Sequence, residues 1–306
     1  MNIILPSDHQ AVISHVFLTL ALTAPVLDGV LSNLFITYRD SRMTHQPTLF
    51  ISHGSPMMAS EISSTSIFLS QLGKELARPK AIVIFSAHFD LAADIVITSG
   101  QHPETIHDFY GFPKPFYDIQ YKAPGAPLLA QEIASFFQKA GLKPILDSAQ
   151  GWDHGVWIPL KLMYPKADIP IVQISINSQL GPQRNYLYGQ LVSTLKDDNI
   201  MIIGSGGISH NLKELFNRKP TENRVAMVTS FTDWVHEKLI NKDIDALLNY
   251  EKEAPFAHFN HPTKEHFLPL FAALGSSDLS SDLTSVQRLH SDVEGDVLSL
   301  DTYLFS

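Results

Sequence analysis

The chain has 306 residues, 44% of them hydrophobic and 17% charged, enough to bury the core of one large α/β domain. Its formal net charge of −9, with no Lys/Arg cluster, argues against a nucleic-acid surface, which needs a basic stripe to replace counterions. Cysteine is absent, which removes disulfides, thiolate ligands and a Cys nucleophile and fits a reducing, cytoplasmic setting. Histidine, in contrast, occurs 14 times, a surplus of the residue type that most often binds metals.

Residues 11–31 are largely apolar, but Pro25 and Asp28 interrupt them, so they do not read as a spanning helix. The first basic residue is Arg39, which leaves a signal peptide without its n-region. The expectation is an N-terminal extension over residues 1–46, packed or poorly ordered, with no membrane association. Met43 is a candidate alternative start. The remainder, residues 47–306, reads as one catalytic domain.

From Pro47 the text alternates between strand and helix patterns. Residues 48–52 form a short apolar run closed by His-Gly-Ser-Pro, and residues 81–86 a β-branched and aromatic one. A third strand is predicted over 94–97. Residues 106–125 hold so many Gly, Pro and aromatic residues that they read as a long loop, a kind of segment that tends to be functional. Helical spacing follows over 126–140, stopped by Gly141, then a brief strand over 144–146. The segment Gly-Trp-Asp-His-Gly-Val-Trp (151–157) reads as a loop leading into a helix over 158–163, with the two tryptophans as a wall of an aromatic pocket. Strands are predicted over 169–176 and 200–204, and helices over 182–196, 223–240, 244–250 and 265–274. Alternation of this kind predicts a single α/β domain with a central mostly parallel or mixed sheet flanked by helices.

Ligands enter open α/β sheets at the carboxyl ends of the strands. His53, His88 and His210 follow apolar runs and are flanked by Ser, Gly or Ala, and His266 opens a helix after a Pro-containing turn. If the strands are parallel in one sheet, the rings converge on a metal site at that edge. The glycines of Gly-Ser-Gly-Gly (204–207) allow unusual backbone angles there, or a phosphate cradle, although the lysine of a P-loop is missing. A Ser-His-Asp hydrolase with Ser55 or Ser205 as nucleophile is a further alternative, without a clean Gly-x-Ser-x-Gly elbow. His154, beside Asp153, is suited to acid-base work next to a metal-bound substrate, with loop stabilisation as the plainer reading. His107 and Asp108 head the aromatic loop as weaker candidates. His102, His258, His261 and His290 read as structural or solvent-facing.

Six motifs occur in order: Ser-His-Gly-Ser-Pro (52–56), Ser-Ala-His-Phe (86–89), Ile-His-Asp-Phe-Tyr-Gly-Phe-Pro (106–113), Gly-Trp-Asp-His-Gly (151–155), Ser-His-Asn-Leu (209–212) and Pro-Thr-Lys-Glu-His-Phe-Leu-Pro (262–269). Together they resemble the DOPA-type branch of the class III extradiol ring-cleavage dioxygenases, from about Pro47 to about Gly275. The resemblance implies one divalent metal held by His53, His88, His210 and His266, with Fe(II) for dioxygenase activity and Zn(II) an acceptable occupant of an all-histidine site. It implies a small aromatic diol and O2 as substrates, His154 and His210 as the candidate catalytic residues, and Phe109, Tyr110, Phe112, Phe116 and Tyr117 as stacking walls. Whether His210 is a ligand or a base stays open, as do a zinc hydrolase and a non-catalytic metal-binding protein on the same fold.

Overall fold

The structure is a computed structural model that describes residues 45–92, 95–277 and 284–306. The expectations for residues 11–31, for Met43 and for a strand start at Asp94 lie outside the described residues. Residues Thr44–Ser306 form one compact unit.

An eight-stranded mixed sheet organises this unit, in the order β4-β3-β5-β2-β6-β1-β10-β7. The strands are β1 (Thr48–Ser52), β2 (Ala81–Asp90), β3 (Ile95–Thr98), β4 (Pro144–Asp147), β5 (Ile171–Ile176), β6 (Ile200–Gly206), β7 (Val286–His290) and β10 (Thr302–Phe305). A separate two-stranded ribbon joins β8 (Val293–Glu294) to β9 (Leu298–Ser299). The run β5-β2-β6-β1 is parallel throughout. Every residue of β1, β5 and β6 is buried, which explains why these strands read as continuous apolar text: layers cover both faces of the sheet. The tail, ambiguous as sequence, supplies β10, which pairs antiparallel with β1, and β7 at the sheet edge.

Among the described residues, six longer helices pack around the sheet: α1 (Ser64–Glu75), α2 (Pro127–Lys139), α3 (His154–Met163), α4 (Gly181–Val192), α5 (Arg224–Ile240) and α6 (Leu268–Ser276). Helix α1, which the sequence pattern did not reveal, opens with a capping box between Ser63 and Ser66. Helix α6 is apolar on all sides and every one of its residues is buried, as befits a helix inside the core. Among the described residues, no helix is long and apolar enough to cross a membrane.

Several boundaries differ from the sequence reading, and the differences concern the site. Strand β2 runs on to Asp90, with a register irregularity between Ser86 and Asp90, so His88 sits inside the strand at the break instead of beyond it. Helix α3 begins at His154, four residues earlier than expected, because the Asp153 side chain accepts from the Val156 amide and caps it. His154 is therefore on a helix and not in a loop. Helix α6 starts at Leu268 with Pro269 in its first turn, which leaves His266 in the preceding turn. The helix predicted over 182–196 ends at Val192 and continues as a 3-10 turn over Ser193–Asp198, and the one over 244–250 breaks into Ile244–Leu248 and Tyr250–Glu253. The aromatic loop contains a single helical turn, Lys114–Tyr117.

The glycines of β6 also act differently from expectation. None of Gly204, Gly206 and Gly207 has a positive φ. A Cβ on Gly204 would sit 2.1 Å from the Pro269 carbonyl oxygen, and one on Gly206 equally close to that of His266. These glycines are there so that α6 and the His266 turn can lie directly on the strand. That packing fills the space a phosphate would need against Gly204 and Gly206.

Candidate metal centre

Strands β2, β6 and β1 are neighbours, parallel and in register, and this places their histidines together at one edge. His53 leaves the end of β1, its amide bonded to the Gly206 carbonyl at 3.1 Å. His88 projects from the irregular part of β2, where a broken ladder re-aims side chains. His210 lies four residues past β6, its amide held by the Asn260 carbonyl at 2.9 Å. His266 reaches the same place from the turn before α6, its carbonyl accepting from the Gly207 amide at 2.8 Å.

The rings do converge. His53 and His88 have centroids 4.9 Å apart, His53 and His266 5.4 Å, and His88 and His266 4.9 Å. His210 stacks on His266 at 3.4 Å, with the planes 8° apart. His154 joins as the fifth member, 3.8 Å from His88 and 5.3 Å from His53. Ligand atoms of His53, His88 and His154 lie within 4.8 Å of one another, and so do those of His210, Glu265 and His266.

Hydrogen bonds behind the rings decide where their protons sit. Ser205 Oγ donates to the Gly155 carbonyl at 2.5 Å and lies 3.1 Å from His53 Nδ1. A hydroxyl has one proton to give, so His53 must donate from Nδ1, and its Nε2 carries a lone pair. Asp108 Oδ2 is 3.2 Å from His88 Nδ1, which favours the proton on that nitrogen too. Yet His53 Nε2 and His88 Nε2 face each other at 3.0 Å. His266 repeats the arrangement: Nδ1 is 3.0 Å from Glu265 Oε1, and the buried Nε2 has no hydrogen-bond partner.

Burial holds His53, His88 and His266 well below the ordinary imidazole pKa, and the crowding of neighbouring imidazoles adds to the effect. His210 is lowered to about 4, by burial first and then by His154. At neutral pH these rings are therefore uncharged, the form in which imidazole binds a metal. Neutral rings that point lone pairs at one another repel unless a cation lies among them, and the donor set fits a divalent ion.

Asp108, ranked low from sequence, is at the centre of the site. Its Oδ1 accepts from the His154 amide at 3.0 Å and lies 3.0 Å from His154 Nδ1 without a hydrogen bond to it. Burial opposes its ionisation, but the His154 ring and amide and the nearby His88 more than offset this and hold the carboxyl at about 2. Asp153 is different in kind. It is fully buried, accepts from Ser86 Oγ at 2.7 Å and from Gln173 Nε2, and burial raises it to about 6. Its role is to cap α3 and anchor it to the sheet, while His154 next to it faces the cluster. The tryptophans do not line a pocket: both are fully buried. Trp152 Nε1 donates to the Ala123 carbonyl and Trp157 Nε1 to that of Ile106, so they pin the two ends of the aromatic loop from below. Within that loop Phe109 meets the His154 ring edge at 5.7 Å and packs on Phe112 and Tyr117. Tyr110, in contrast, is 91% exposed and forms no wall.

His261, read as structural, is buried and bonded to the Ile208 carbonyl at 2.7 Å, and His290 is bonded to Thr65 and stacked on Phe68. Asp108 was hinted at by its place in the His-Asp-Phe-Tyr-Gly-Phe-Pro motif. Ser205 was legible only as a nucleophile, a role its complete burial and two engaged bonds do not suit.

A parallel α/β sheet with an imidazole cluster at its carboxyl edge is the frame of a metal-dependent enzyme. The family model for the catalytic LigB subunit of aromatic ring-opening dioxygenase matches residues 41–294, and the chain belongs to that family. Within it, the chain falls in the DOPA-dioxygenase-like branch. It is 37% identical to the 4,5-DOPA dioxygenase extradiol of Beta vulgaris over 85% of this chain and 96% of that protein. The Escherichia coli K12 protein of the same name is 38% identical over 79% and 89% of the two chains. The crystal structure of an uncharacterized Escherichia coli K12 protein superposes with a TM-score of 0.68 at 31% identity, covering 85% of this chain and 99% of that one. The family match reaches beyond Gly275, where the motif resemblance stopped, into the segment that holds β7 and β8.

Proposed function

We propose that this chain is an extradiol dioxygenase that opens the ring of a DOPA-like catechol with O2, working with Fe(II). The observation that carries the reading is the set of bare, neutral imidazole nitrogens at the end of β1, β2 and β6, above all the facing Nε2 atoms of His53 and His88. His53, His88, His210 and His266 are the residues that would hold the ion. Iron held there would supply the redox chemistry that ring opening with O2 requires, which zinc, fixed in one oxidation state, would not.

The chain's own groups supply the rest. His154, against His88 and with Asp108 3.0 Å from its Nδ1, takes the catechol proton; the carboxylate steadies the imidazolium that results. His210, stacked on His266, is either a fourth ligand or a second proton acceptor, because a neutral imidazole has one lone pair to give. Phe109, packed edge-on to His154, offers an apolar surface to the ring and helps keep water away. The DOPA-like substrate is supported by the names of the relatives, each alignable over most of its length.

The test is oxygen uptake by metal-stripped protein reconstituted anaerobically with Fe(II), with L-DOPA as substrate and a zinc-loaded control. Uptake with a coloured ring-opened product, absent with zinc, is expected. Absence of uptake with L-DOPA and with other catechols, despite one iron per chain, overturns the reading.

A further inference from the structure

We propose that Pro159 and Ser205 act together as positioning residues that lock the ring proton of His53 on Nδ1 and so keep Nε2 bare for the metal. The inference rests on the metal-centre reading above and adds the device that prepares one of its ligands. It begins with a proline inside a helix. Pro159 lies in the interior of α3 and has no amide proton, so the carbonyl four residues earlier, that of Gly155, loses its ordinary helical donor. Ser205 takes that place: its Oγ donates to the Gly155 carbonyl at 2.5 Å. Once its single proton is committed, the hydroxyl can only accept from His53 Nδ1, at 3.1 Å.

Burial shields the relay from water, and the Ser205 backbone lies beside the His53 ring as well as its hydroxyl. Ser205 is wholly buried on β6 and His53 is 1% exposed, so water does not compete for either group. Gly155 is tightly bounded as well: a Cβ there would lie 2.5 Å from Ser86 Oγ and 3.1 Å from the His88 ring. Only glycine lets the first turn of α3 sit between Ser205 and His88. A helical defect, which by itself weakens α3, thus aims a hydroxyl, and the hydroxyl sets a tautomer. Partners behind a metal-bound histidine typically change metal affinity by about 10–100-fold.

The experiment uses the full chain labelled with 15N-histidine, metal-free and zinc-loaded, as wild type, Ser205→Ala and Pro159→Ala. Long-range proton–nitrogen correlation reports which ring nitrogen of His53 carries the proton, and titration with zinc reports affinity. Wild-type His53 is expected to be protonated at Nδ1 with and without zinc. Ser205→Ala is expected to mix the tautomers in the metal-free protein and to weaken zinc by about 10–100-fold. Pro159→Ala returns an amide donor to the Gly155 carbonyl, so Ser205 is freed to turn toward His53. It should weaken zinc by about three- to tenfold, the scale of one hydrogen bond, without lowering the melting temperature. A purely structural role for Pro159 predicts unchanged zinc binding in that variant, and this result would overturn its part in the relay. Protonation at Nε2 in metal-free wild type would overturn the whole proposal, even if Ser205→Ala does not fold. If wild type takes up no divalent ion, the metal-centre reading fails separately, and the tautomer measurement still decides the relay.

Discussion

His53 Nε2 and His88 Nε2 face each other across 3.0 Å, while the partners behind both rings favour protons on the opposite nitrogens. With both protons on Nδ1 the facing lone pairs would repel, and a divalent ion between them would relieve that repulsion. Loading with zinc or Fe(II) should therefore stabilise the folded protein strongly, by about 4 kcal/mol at a metal concentration a thousand times the dissociation constant. Thermal melting with metal and with excess chelator checks this. Equal melting temperatures would count against a metal centre here. His53→Ala should lose most of the metal-dependent shift.

His154→Asn should separate chemistry from binding. The ring leaves the cluster's edge, but the proposed ligands stay, so metal content is expected to hold while turnover of the catechol falls by about 10²–10⁴-fold. Metal analysis alongside steady-state rates is the check. Parallel loss of both would make His154 a ligand.

Asp108→Asn removes the charge that faces His88 Nδ1, His154 Nδ1 and the His154 amide together. Metal affinity is expected to drop by about 10–100-fold. The fold should also lose about 1 kcal/mol, since a carboxylate at a helix N-terminus is replaced by a neutral amide. Calorimetric metal titration and urea denaturation measure the two effects separately.

Acid should destabilise the metal-free protein from near pH 6.5 downward. His261 is lowered to about 3, by burial before any other cause. Between that value and the unfolded value of about 6.5, the unfolded chain binds a proton that the folded one refuses. Stability is then complete above about pH 6.5 and falls by about 1.4 kcal/mol per pH unit from this residue alone. The buried His53, His88 and His266, shifted in the same direction, steepen the slope. Urea unfolding at several pH values between 7.5 and 5 tests it; a flat profile would contradict the buried, neutral state of these rings.

Gly206→Ala places a methyl group 2.1 Å from the His266 carbonyl oxygen, so either β6 or the turn before α6 must move. A loss of about 3 kcal/mol is expected, together with weaker metal binding, because the displaced turn carries a proposed ligand. Denaturation and metal titration of this one variant check both.

The apolar runs at 48–52, 169–176 and 200–204 make the parallel core of the sheet legible in the sequence, because buried parallel strands leave no polar alternation to obscure them. The small residues around His53, His88 and His210 make their convergence readable too, since strand ends in such a sheet share one edge, and the Pro-containing turn before His266 marks it as a fourth candidate. What only the tertiary structure decided was which atoms point where. Asp108 reaches the cluster through a loop whose ends are pinned by Trp152 and Trp157, contacts across 29 and 51 positions of sequence. Ser205 orients His53 across 152 positions, using a carbonyl that Pro159 leaves without a donor. Periodicity and composition report only neighbours a few residues apart. A proton's place on an imidazole is set by whatever the fold brings within 3 Å of it.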